Sequence, residues 1–256
     1  MNRKIHGLLI ALAMLLLTAC GGGGSSSSSN VPTTADVQET WSGTYSVTGG
    51  PGNVPIMAAI EQGGYGFFFD PSGVIYVLPS LSGSTTLSGT ITAYAPAGST
   101  FPNGQTQEQF ALTGTASSSL LSGTFSGNGE TGAFSLTPWV YPAPASVIFS
   151  PGPLPGFYGG PGAAAAVDLT MNANGTFSGS DAFGCTITGS IASSNIFNIF
   201  NVSLSSVGAG CAGNLSGLGF LSNTDVFSSF GVGSFTAFYM GVSNGTNGFI
   251  AEFDLP

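Results

Sequence analysis

The chain has 256 residues, 42% of them hydrophobic, and a formal net charge of −9. Its only cations are Arg3 and Lys4 and its only histidine is His6, so no basic side chain follows residue 6. Such a body cannot neutralise nucleic-acid phosphates, use a phosphate-binding lysine, or build a Ser-His, Cys-His or histidine–zinc centre. No catalytic, cofactor-binding or metal-ligating residue is therefore assigned.

The N-terminus reads as an export signal. Arg3 and Lys4 precede an apolar run from Leu8 to Leu17, followed by small residues. The run is too short to span a bilayer, which needs about 20 apolar residues. It ends in Leu17-Thr18-Ala19-Cys20, which resembles the lipobox of bacterial lipoproteins. The resemblance implies a signal peptide over 1–19, cleavage before Cys20, and diacylglycerol and acyl (palmitate) chains on that cysteine. With each buried CH₂ contributing roughly 0.8 kcal/mol, two or more chains hold a protein at a membrane where one does not. Gly21 follows the cysteine where an aspartate would imply inner-membrane retention, so the implied destination is the outer membrane. Residues 20–35 carry the lipid site and a flexible Gly/Ser tether over Gly21–Asn30.

From Trp41 onward, short runs of β-formers alternate with turn signals, the pattern of a sandwich or barrel. Asn128-Gly129 separates Leu121–Phe125 from Gly132–Leu136, and Asn174-Gly175 separates Val167–Met171 from Thr176-Phe-Ser. Asn-Gly supplies the positive φ that tight hairpins require. Asp70-Pro-Ser-Gly73 reads as a type I turn. A large apolar residue, a hydroxyl and a glycine recur together at Trp41-Ser-Gly, Leu87-Ser-Gly, Leu112-Thr-Gly, Leu121-Ser-Gly, Ile187-Thr-Gly and Leu215-Ser-Gly. This reads as a structural device for bending sheets. The proline-rich stretch from Pro138 to Pro155 reads as a connector, assigned to 141–153. The expectation is all-β, with two consecutive antiparallel barrel- or sandwich-like domains over 36–140 and 154–256 and one shared barrel as the alternative. Without lysines, the sheet edges must be protected by closure, proline, glycine or negative charge.

Within the second half, Asn174-Gly-Thr-Phe-Ser-Gly-Ser-Asp181, Gly184-Cys185-Thr-Ile-Thr-Gly189, Asn198 to Leu204, Cys211 and Leu215-Ser-Gly217 together resemble a β-domain of uncharacterised proteobacterial surface lipoproteins. That resemblance covers roughly 165–222 and implies architecture and location, not activity. With Cys20 lipidated, Cys185 and Cys211 remain in an oxidising compartment and are expected to pair.

Only carboxylates are left for acid–base or cation chemistry. Glu252 and Asp254 share a strand face and are expected to point to water, opposite Phe249, Ala251, Phe253 and Leu255. Asp168 with Asp181, or Glu61 with Asp70, would be the pairs able to help hold Ca²⁺. The aromatics Tyr65 to Phe69, Phe197, Phe200, Phe235, Phe238 and Tyr239 are expected in a core or barrel lining. A body with few ionisable groups is expected to tolerate acidification.

Three functions fit. The first is a non-enzymatic outer-membrane lipoprotein, periplasmic or surface-facing, with a structural, adhesive or interaction role. Its partners would be the membrane through Cys20 and an envelope or surface protein. The second is lipocalin-like binding of a small apolar ligand inside a barrel. The third, a carboxylate-dependent glycan hydrolase, requires acids converging on a cleft.

Overall fold

A computed structural model describes residues 39–255, except 62, 71–73, 84–85, 96–99, 140–151, 159–164, 195–197 and 223–235. The signal peptide, Cys20, the tether, the Pro71–Gly73 part of the proposed turn, Phe197 and Phe235 lie outside the described residues. So do the side chains of Phe249, Asp254 and Leu255.

The described residues are strands and turns, with no helix. The first half contains β1 (Glu39–Val47), β2 (Val54–Ile60), β3 (Gly66–Phe69), β4 (Ile75–Leu78), β5 (Leu81–Gly83), β6 (Thr86–Tyr94), β7 (Gln107–Ala116), β8 (Leu121–Gly127) and β9 (Glu130–Pro138). They form one antiparallel sheet in the order β4-β3-β2-β1-β9-β8-β7-β6-β5, in which β4 also pairs with β6. β4 and β5 run along the same edge of β6, Ile75 opposite Tyr94 and Leu81 opposite Gly89, with a one-residue slip at Pro79–Ser80. The β4–β6 pairing returns the sheet onto itself.

The second half contains β10 (Gly152–Tyr158), β11 (Ala165–Met171), β12 (Thr176–Asp181), β13 (Thr186–Ser193), β14 (Ile199–Val207), β15 (Gly213–Ser222), β16 (Thr236–Ser243) and β17 (Gly248–Leu255). These eight strands follow one another around a closed barrel, β17 pairing with β10. The all-β expectation holds, and the halves are two consecutive β domains. β10 begins inside the proline-rich stretch, at Gly152. Closure is the answer to the missing lysines, because a strand paired on both sides offers no template for aggregation.

Side-chain alternation sends a row of apolar residues into each interior. In the first barrel, Trp41, Ile60, Phe68, Leu78, Leu87, Leu121 and Leu136 are fully or almost fully buried in one cluster. In the second, Val167, Met171, Phe177, Leu204, Phe238 and Phe253 do the same. The recurring glycines lie on these inward faces. Gly123 sits opposite Phe134 and Gly189 opposite Phe177. An added Cβ would come within 2.8 Å of the Phe134 ring at Gly123 and within 2.3 Å of the Phe177 ring at Gly189. The phenyl rings thus lie over bare backbone, which is what a narrow barrel needs at its tightest turns.

A third apolar cluster joins the two barrels, outer wall to outer wall. Met57, Ala59, Phe67, Phe69, Ile75, Val77 and Tyr94 of the first barrel meet Ile199, Leu218, Phe220, Ala237, Tyr239 and Ile250 of the second. The aromatic run Tyr65–Phe69 therefore divides by parity, Phe68 into its own barrel and Phe67 and Phe69 against the neighbour. Elsewhere the outer walls carry hydroxyls in cross-strand pairs, such as Thr113–Thr124 at 3.2 Å and Ser190–Ser203 at 2.9 Å.

The turns follow their residues in most places. Asn128 (φ 51°) and Gly129 (φ 82°) form the two-residue hairpin between β8 and β9. The β11–β12 connection is longer than its Asn-Gly suggested. Asn172 accepts from Gly175 N at 3.0 Å and donates from its own N to Thr176 O at 2.8 Å, and only Gly175 has positive φ. Cys185 and Cys211 are disulfide-bonded, Cα–Cα 5.9 Å, tying the β12–β13 turn to the β14–β15 loop at one end of the second barrel. In the chain-entropy picture, a loop of this size contributes about 3–4 kcal/mol.

Candidate functional site

The sequence-derived carboxylate pairs are not assembled. Asp181 lies opposite the inward-facing Val167, whereas Asp168 lies opposite Ser180 and is exposed, so the two occupy opposite faces of the wall. Asp181 is a turn residue, its Oδ1 accepting from Phe183 N at 2.9 Å and Cys185 N at 2.8 Å. Glu61 stands in the β2–β3 turn at one end of the first barrel and Asp70 beyond β3 at the other. Glu252 is only partly exposed and accepts from Tyr239 Oη at 2.9 Å. Its strand face also carries Ile250, buried against the first barrel, so that face does not simply point to water. Among the described residues no three His, Cys, Asp or Glu side chains stand close enough to share a metal ion.

A different set converges at one mouth of the first barrel. A cavity of about 150 Å³ opens there, lined by Ile56, Phe68, Ile91, Phe110, Phe125 and Phe134 among others, with Tyr45, Tyr76 and Glu130 as its polar members. The opposite end is packed shut by Trp41, Leu81, Leu87 and Leu121. Strand parity places the polar groups. Tyr45 follows Trp41 on the inner face of β1, Asp70 continues the parity of Phe68, and Glu108 continues that of Phe110 and Leu112. Glu130 likewise continues Phe134 and Leu136.

Asp70 is fully buried. Its Oδ2 accepts from Tyr45 Oη at 2.8 Å and from Tyr76 Oη at 3.1 Å, while the two phenol oxygens are 3.4 Å apart. Tyr45 packs edge-on against Tyr76 and Phe125, centroids 6.2 and 6.1 Å apart. Burial, and then the nearby Asp70, push both phenols above the usual tyrosine range. Glu108, held by Asn103 Nδ2 at 2.6 Å, is raised by burial and by the charge of Glu130.

These groups lay hidden in the sequence because Glu108 and Glu130 belong to no motif. Their signal is parity, an acid two or four residues before the first core side chain of a strand: Glu108-Gln-Phe110 and Glu130-Thr-Gly-Ala-Phe134. Asp70, which the sequence pairs with Glu61, is bonded instead by Tyr45 and Tyr76.

The acids also set the pH response. Glu61 is raised by burial and Glu108 as above, so both hold protons more tightly folded than unfolded. Stability contributed by protonation then grows as pH falls through their folded range. The melting temperature is expected to stay level or rise between about pH 7 and pH 5. At the other extreme, Tyr65 is pushed up to about 12 by burial and the charges of Glu61 and Tyr94, and Tyr45 and Tyr76 are raised too. An unfolded chain releases these protons from about pH 10, so stability is lost above that value. A melting temperature that drops on acidification, measured by circular dichroism across the range, would contradict this assignment.

Compared with protein-family models, curated proteins and solved structures, the chain gives no match to any of them. The fold and the mouth of the first barrel define its class: a tandem β-barrel protein whose first barrel holds an apolar cavity.

Proposed function

We propose that this chain is a lipid-anchored protein of the outer membrane that binds, without catalysis, a small apolar molecule in its first barrel. The cavity at the Tyr45–Asp70–Tyr76 mouth carries the reading. An apolar cavity of about this size has room for a single-ring hydrocarbon, and the phenyl-rich lining suits such a guest. A glycan hydrolase fits less well, because Asp70 is buried behind two phenols and the walls below it offer no polar groups to sugar hydroxyls. Anchoring rests on the lipobox. It agrees with the polarity of both barrels, which are apolar inside and hydroxyl-covered on their free walls, the reverse of a barrel exposed to lipid.

Native mass spectrometry of the protein isolated from its host tests both halves. The expected mass is that of residues 20–256 plus lipid, with a small non-covalent guest that is absent from a cavity-filling Leu112→Trp variant. Retention of Arg3, Lys4 and His6 would sink the anchor. A body that carries no guest and takes up no ethylbenzene would sink the binding role.

A further inference from the structure

We propose that the guest carries a positive charge: an aromatic or alicyclic amine whose ring enters the cavity and whose ammonium stays at the mouth. This deepens the binding role above and rests on it. The hydrogen-bond inventory of the site is one-sided. Each phenol bonds Asp70 Oδ2 and the two phenol oxygens lie 3.4 Å apart, so both protons are engaged within this trio and towards the cavity the Tyr45 and Tyr76 oxygens present lone pairs. The other polar group of the lining is the Glu130 carboxylate, an acceptor. Glu108, on β7, one strand beyond the β8 neighbour of Glu130, lies close enough to Glu130 for its proton affinity to respond to that charge. The site therefore has acceptors to offer and lacks a donor with a free proton among its lining side chains.

Charge points the same way. No Lys, Arg or His follows residue 6, so no basic side chain of the body can balance an anion. A fatty acid or aromatic acid would bring a carboxylate to a mouth already holding Asp70, Glu108 and Glu130. An ammonium meets the opposite situation. It finds the Glu130 carboxylate and two phenol oxygens in the lining, with Asp70 behind the phenols and Glu108 near Glu130. It also finds the rings of Tyr45, Tyr76 and Phe125, whose quadrupoles attract cations. The volume limits the rest of the molecule to about one ring.

Three probes of nearly equal shape separate the terms: 2-phenylethylamine, ethylbenzene and 3-phenylpropionate, titrated calorimetrically into the full chain near neutral pH. The amine is expected to bind about ten-fold more tightly than the hydrocarbon, and the acid to give no measurable heat. In Glu130→Gln, an exposed hairpin position, the amine-to-hydrocarbon ratio is expected to fall several-fold, and added salt should narrow it in the parent protein. Ethylbenzene binding as well as the amine, or the acid binding best, would overturn the charge assignment while leaving a binding barrel. Failure of all three would instead remove the binding role itself.

Discussion

Truncation of Phe220 to alanine is expected to destabilise the protein by about 3–5 kcal/mol, at the upper end for a buried aromatic. Phe220 lies on the outer wall of the second barrel and is fully buried. Its ring stacks on Tyr239 with centroids 5.6 Å apart and meets Phe69 edge-on at 5.4 Å and Trp139 at 6.3 Å. The cost of such a truncation depends on how far the surroundings relax into the void. Here the void would open between two barrel walls whose strands are almost all hydrogen-bonded on both edges. Little relaxation is available. The two tryptophans make the effect readable, since Trp41 lies inside the first barrel and Trp139 at the interface. Denaturant unfolding followed by fluorescence and by circular dichroism should coincide in the parent protein. In Phe220→Ala the midpoints should fall and separate. A midpoint unmoved by the change would mean that the barrels are joined by the chain alone.

That interface marks where sequence reading stops. The interiors were legible where a local signal was strong: Asn128-Gly129 set the hairpin between Leu121–Phe125 and Gly132–Leu136, and the strands pair there. Tyr65-Gly-Phe-Phe-Phe69 was not, because alternation fails when both faces of a strand are buried. Phe67, Phe68 and Phe69 are all core, but of two different clusters, and only the position of the second barrel distinguishes them. The disulfide was readable from counting and compartment. The cavity mouth was not, because it is assembled from the ends of strands widely separated in sequence. Tyr45, Asp70, Glu108 and Glu130 become neighbours only when β4 pairs with β6 and the sheet closes.

The second large effect is expected at that mouth. Asp70→Ala leaves the Tyr45 and Tyr76 hydroxyls, each now donating to Oδ2, without that acceptor in a largely apolar wall. Stranding buried donors costs about 1–3 kcal/mol apiece, so a loss of about 2–6 kcal/mol is expected for the two. The origin of that cost is testable because removing both partners differs from removing one. If stranded phenols are responsible, Tyr45→Phe and Tyr76→Phe added to Asp70→Ala should restore part of the stability, although two further hydroxyls have been deleted. The three changes would then be strongly non-additive, as expected for groups within one network. Asp70→Asn retains a side-chain oxygen for both phenols and should fall between the parent and the alanine variant. Denaturation midpoints of the set decide the matter. A triple variant weaker than Asp70→Ala would mean that the phenols contribute through their own packing at the mouth, with Asp70 serving another neighbour. Recovery in the triple variant would show that a carboxylate is kept at this depth by the two hydroxyls it receives, and that the barrel tolerates a polar mouth only while that set is complete.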